Sequence, residues 1–75
     1  MSQLEFYCGQ VRSTKGLYHS MALKALRAYM KAIPEVYIIE AINKIGDPIL
    51  LRAILEAGVN QRVQDAITAR GEKLL

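Results

Sequence analysis

Asp47-Pro48-Ile49-Leu50-Leu51-Arg52-Ala53-Ile54-Leu55-Glu56-Ala57-Gly58-Val59-Asn60 is a helix with both of its ends written into the sequence. The aspartate can accept from the first free backbone N–H groups, and the proline stands in the first turn, where its missing N–H is no loss. The glycine and the apolar residue after it form a C-terminal stop. Asn60 then caps a following helix on which Val63, Ala66, Ile67, Arg70 and Leu74 recur at i, i+3, i+4, i+7 and i+11, with Gly71 weakening its far end. Upstream, Pro34 suits the first turn of a helix through Ile38, Ala41, Ile42 and Ile45 that ends at Gly46. The β-branched Val36, Ile38 and Ile39 pull toward a strand, but the spacing that continues past them is helical. Ser13 or Thr14 can cap a helix from Lys15 to Ile33, stopped by Pro34. At the N-terminus, Leu4, Phe6 and Cys8 alternate with Glu5 and Tyr7 up to Gly9, the period of a strand. A lone strand has no partner, so residues 1–12 are expected to be an extended arm or short strand laid over the helices. The predicted fold is therefore all-α: a compact bundle of about four helices over residues 13–75, in a single domain spanning residues 1–75.

Size and composition bound the rest. With 75 residues the chain has room for one domain, and a chain this short buries only about 60% of the surface its unfolded form exposes. Yet 52% of its residues are hydrophobic, and its mean hydropathy is +0.12. Apolar surface is expected to remain for a partner. Charge-free stretches such as Gly16 to Leu23 fall far short of the roughly 18 apolar residues that span a bilayer, so no membrane span is expected. Glu5 precedes every basic residue, which is unlike a secretory leader, and the lone Cys8 cannot form an internal disulfide. A cytoplasmic location is the expectation. The net charge is +3 and unevenly placed: Arg12, Lys15, Lys24, Arg27 and Lys31 stand against Glu5 alone, whereas the two signs nearly balance from Ala32 onward.

On a helical wheel, Ser20, Lys24, Arg27 and Lys31 form one polar stripe. The candidate basic patch is Lys24, Arg27 and Lys31, suited to an acidic partner or to phosphates. Tyr18, Met21, Ala22, Ala25, Leu26, Tyr29 and Ile33 take the opposite side, and Leu23 and Met30 widen that arc beyond one packing contact. With Val36, Tyr37 and the isoleucines that follow, they exceed what four short helices can cover. A homo-oligomer is expected, with Leu23, Met30, Ile33 and Tyr37 as candidate interface residues.

A shift of 25 residues superposes Ala41 on Ala66, Ile42 on Ile67, Gly46 on Gly71 and Leu50 on Leu75. The segment from Ala41 through Asp47-Pro48-Ile49-Leu50-Leu51 to Arg62-Val63-Gln64-Asp65-Ala66-Ile67 resembles the short HEAT-like helical repeats of bacterial proteins. In those, an aspartate opens a helix and an Arg-Val-x-x-Ala helix follows. The likeness covers the second half only and supplies barely more than one repeat, with glycine-rich joints; it implies a helix-stacking interaction surface. Ala57-Gly58-Val59-Asn60 is also similar to the turn of a helix-turn-helix. That resemblance implies base reading by Gln61, Arg62, Gln64 and Thr68, with Asp65 beside them. The chain departs from that family at Ile54, where a small residue is usual, and at Gln64, where an apolar one is; the apolar residue stands one position early, at Val63.

No set of residues reads as a reaction centre. Cys8 and His19 are the sole members of their kinds, too few for a zinc site, and are better explained as a buried hydrophobe and a solvated helix residue. In Cys8-Gly9-Gln10-Val11-Arg12-Ser13 the arginine comes too early for the phosphate-cradling loop of cysteine phosphatases, and Ser13-Thr14-Lys15-Gly16 lacks the order of a P-loop. Glu35 and Glu40, or Asp65 and Glu72, read as solvated helix faces. Of the four tyrosines, Tyr18 and Tyr29 fall on the apolar arc and are assigned to packing. The function expected is a non-catalytic helical protein-interaction module, a small self-associating adaptor or regulator without cofactor or metal. The alternative is a small helix-turn-helix-like DNA-binding regulator.

Overall fold

A computed structural model describes residues 2–75. Five helices follow one another, α1 (Gln3–Ser13), α2 (Leu17–Ala32), α3 (Glu35–Ile42), α4 (Pro48–Ala57) and α5 (Gln61–Lys73), and the described residues contain no strand. The all-α class holds, with one helix more than the sequence predicts.

The extra helix is α1, where an arm or strand was expected. Ser2 and Glu5 form a reciprocal capping box: the Ser2 hydroxyl accepts from the Glu5 backbone N–H at 3.2 Å, and the Glu5 carboxylate accepts from the Ser2 N–H at 3.3 Å. Leu4, Cys8 and Val11, at i, i+4 and i+7, are the side chains that α1 buries. The alternation of Leu4, Phe6 and Cys8 was incidental, since Phe6 points to solvent. A consequence falls on the next helix. Thr14 closes α1, its hydroxyl donating to the Gln10 carbonyl at 2.7 Å, so neither Ser13 nor Thr14 caps α2. The N-cap of α2 is Gly16, at φ 62°, with no side-chain cap.

The starts read from Asp47 and Asn60 stand as expected. Asp47 accepts from the Ile49 N–H and Asn60 from the Val63 N–H, each at 3.0 Å. Helix α3 ends at Ile42, before Gly46, in a turn whose N–H groups reach back three residues, from Lys44 to Ala41 and from Ile45 to Ile42. Ile45 is nevertheless fully buried.

Helix α1 packs on α2 and α4, α2 also on α4, and α5 on α3 and α4. Leu4, Val11, Leu26, Ile42, Ile45 and Ile54 are the large side chains fully removed from solvent, and among the described residues no polar side chain is buried with them. Long-range polar contacts pin the helices together at their ends: Arg27 Nε donates to the Ala57 carbonyl at 2.5 Å, and Arg70 Nε to the Ile45 carbonyl at 2.7 Å. Each arginine satisfies a carbonyl beyond or at the end of a helix that has no partner within it. No helix of the described residues is long and apolar enough to cross a membrane.

Candidate interaction surfaces

The basic stripe divides on folding. Lys24 and Lys31 are exposed on α2, while the Arg27 guanidinium is held at the end of α4 by its bond to Ala57. Arg27 and Lys31 line a groove of about 470 Å³ together with Met30, Ile33, Glu35, Ile38, Val59 and Asn60. Glu35 is the electrostatic centre of that groove. Arg62 Nε donates to it at 2.8 Å and the Asn60 amide donates to its other oxygen, and these bonds hold its carboxyl below the usual carboxylate range.

The same contacts occupy the residues assigned to base reading. Arg62 is paired with Glu35, the Gln61 amide donates to Asp65 at 2.8 Å, and the Gln64 amide donates to the Val59 carbonyl at 2.9 Å. Thr68 remains exposed, with no side-chain bond to another of the described residues. The connection between α4 and α5 is Gly58-Val59-Asn60, with Gly58 at φ 89°.

The four candidate interface residues are not brought together. Met30 is 8% exposed and belongs to the core, whereas Tyr37 is 59% exposed. Leu23 and Ile33 are partly buried against the core. Tyr37 lies in a separate groove with Ser2, Glu5, Glu40, Ala41 and Lys44. A charge placed at Met30 would therefore disturb the core before it disturbed any contact between copies.

A different apolar surface is open instead. Phe6, Leu17, Tyr18 and Met21 are 54%, 74%, 70% and 56% exposed, and Phe6, Tyr18 and Met21 line a groove between α1 and α2 with Tyr7, Gln10, Thr14, Ala22 and Ala25. Its floor is aromatic: Tyr7 stacks on Tyr29 with ring centroids 4.9 Å apart, and Phe6 meets Tyr7 edge-on at 5.6 Å. The sequence signal was the width of the apolar arc on α2. That width exceeds one packing contact, as the sequence indicates, but the chain itself covers only the side carrying Leu26 and Met30 and leaves Tyr18 and Met21 outside.

Cys8 and His19 have separate fates. Burial, with a smaller push from the Glu5 carboxylate, raises the Cys8 thiol to about 12, so it is protonated and sealed in the core at neutral pH. His19, expected to be solvated, is partly buried: Nδ1 lies 3.0 Å from the Val11 carbonyl and Nε2 2.5 Å from Glu56 Oε2. Arg12 adds a longer ion pair to the same carboxylate at 3.6 Å. Among the described residues no three His, Cys, Asp or Glu side chains are placed to hold a metal ion. Comparison with family models, curated proteins and solved structures finds no match for this chain.

Proposed function

We propose that the chain is a non-catalytic helical interaction module that self-associates and, as an adaptor or regulator, docks on other proteins. The observation that carries this reading is the open face formed by Phe6, Leu17, Tyr18 and Met21 over an aromatic floor. Large apolar side chains gathered on one face of a small protein are the usual mark of a protein contact, and aromatic residues are enriched at such contacts. The test is light scattering from micromolar concentration upward. A mass above the 8.4 kDa of one chain is expected, and a constant monomer mass up to millimolar concentration would overturn self-association.

The DNA-binding alternative rests on the three-residue joint between α4 and α5 and on exposed Thr68. Against it, Arg62 and Gln61 are already engaged within the chain, by Glu35 through Nε and by Asp65 through the amide. Titration of a generic duplex at low salt separates the two. Affinity that falls steeply with salt favours the alternative, because neutralised phosphates release counterions; absence of binding removes it.

A further inference from the structure

Helix α2 carries a second hydrophobic repeat that its own chain does not use. Tyr18, Met21, Ala25, Ala28 and Ala32 are spaced 3-4-3-4, the seam of a coiled coil, and all five are exposed. The inward face of the same helix is formed by Leu26 and Met30, so the seam is additional to the core contact and not part of it. Side-chain size is graded along it: the two large residues stand at the N-terminal end and the three alanines follow.

That gradient selects an orientation. In a parallel pair Tyr18 would meet Tyr18 and the alanines would face alanines, leaving one end crowded and the other thin. In an antiparallel pair, Tyr18 of one copy meets Ala28 of the other and Met21 meets Ala25, so every layer sets one large side chain against one small one. A two-fold axis beside Leu23 generates all four layers at once. The flanks follow from the same register: Leu17 faces the aliphatic stem of Lys31, and Lys24 faces its own copy.

The area suffices. Phe6, Leu17, Tyr18 and Met21 expose between half and three quarters of their surfaces, which amounts to on the order of 500 Å² if each large side chain presents roughly 150–250 Å². The exposed alanines and lysine stems add to it, toward the roughly 800 Å² per partner of a standard stable interface.

We infer that the occupant of this face is a second copy of the chain, joined through α2 as an antiparallel pair in the register Tyr18 to Ala28 and Met21 to Ala25. This rests on the self-association proposed above and specifies its surface. The close approach of Lys24 to its copy is the one unfavourable contact, and it sets this occupant apart from an acidic helix, which would be drawn to Lys24.

The experiment is sedimentation equilibrium on the full chain and three sets of variants, each checked by circular dichroism for unchanged helicity. Ala28→Glu is expected to weaken the dimer at least 100-fold, and Tyr37→Glu to leave it within about twofold. Lys24→Gln is expected to tighten it several-fold at low salt, with the gain fading as salt rises. An Ala28→Cys chain is expected to oxidise to a covalent dimer when mixed with Tyr18→Cys but not on its own; buried Cys8 takes no part. An oligomer that survives Ala28→Glu uses another face, which overturns this inference and leaves self-association standing. Weakening by Lys24→Gln, or cross-linking of Ala28→Cys alone, overturns the antiparallel pair, and a monomer throughout overturns both readings.

Discussion

His19 sits between a backbone carbonyl and a carboxylate, Val11 and Glu56, neither of which can donate a hydrogen bond. Both ring nitrogens must therefore carry protons for both contacts to hold, and the side chain is an imidazolium in this arrangement. Its pKa is raised, first by the bond to Glu56, partly opposed by desolvation, and then by the Val11 carbonyl. A raised histidine pKa contributes stability that is fully present below the unfolded value near about 6.5 and is lost as pH rises through the folded one. The melting-temperature gap between the native chain and His19→Ala is expected to be widest near pH 6 and to close toward pH 9. In the Glu56→Gln chain, the imidazole proton resonances are expected to titrate at lower pH than in the native chain. A gap that widens with pH would show that the ring is held neutral. At the same scale, Arg27 and Lys24 separate although both lie on one stripe. Arg27→Gln is expected to cost about 1 kcal/mol, because the last carbonyl of α4 loses its partner. Lys24→Gln should stay within about 0.5 kcal/mol in the monomer, as denaturant titration of each at low concentration will show.

At the scale of helices, glycine substitutions carry opposite signs for one physical reason. Gly9 lies inside α1, and beyond the helix's own backbone no neighbouring atom stands within 4 Å of an added Cβ, so Gly9→Ala is free to gain helix propensity, about 0.5–1 kcal/mol of stabilisation. Gly58 ends α4 at φ 89° and ψ 116°, where a side chain is strained even with open space around it. Gly58→Ala is expected to destabilise by about 1–3 kcal/mol. Thermal melts of the two variants decide this, and stabilisation by Gly58→Ala would contradict the observed turn. The role of α1 is open to the same kind of test. An arm would tolerate Leu4→Ala, but a buried helix position loses about 2–5 kcal/mol, enough to unfold much of a chain whose whole stability is of order 0.05–0.15 kcal/mol per residue. The 25-residue shift also acquires a physical meaning here. Ile38 and Val63, and Ile42 and Ile67, are buried pairs on α3 and α5, which pack on each other, while Gly46 lies in a loop and Gly71 inside α5.

For the molecule as a whole, the accessible surface is 4994 Å², above the roughly 4,600 Å² expected of a folded monomer of this mass. Large apolar side chains contribute to that surface, among them Phe6, Leu17, Tyr18, Met21, Val36 and Tyr37. They bear on association more than on the monomer's folding: Leu17→Ala is expected to change monomer stability by no more than about 0.5 kcal/mol, against about 2–5 kcal/mol for Leu26→Ala. Urea titrations of the pair at concentrations below association check the contrast, and a large loss for Leu17→Ala would mean that α2 is packed on its other side.

The helical class, both ends of α4 and the start of α5 are legible in the residues themselves, because capping and stop signals act within a few residues of one another. Asp47, Pro48, Gly58 and Asn60 need no distant partner to do their work. The reciprocal cap of Ser2 and Glu5 was equally local, but the alternation over Leu4 to Cys8 competed with it and hid α1. Tertiary structure alone decided which side of α2 turns inward. Its wheel offers apolar residues on two sides; packing on α1 and α4 buries Leu26 and Met30 and leaves Tyr18, Met21 and the alanines facing water. The pairings of Arg27 with Ala57, Arg62 with Glu35 and His19 with Glu56 were likewise set by the fold, since each joins residues far apart in the chain, and charge and periodicity carry no information about which distant groups a fold will bring within bonding distance.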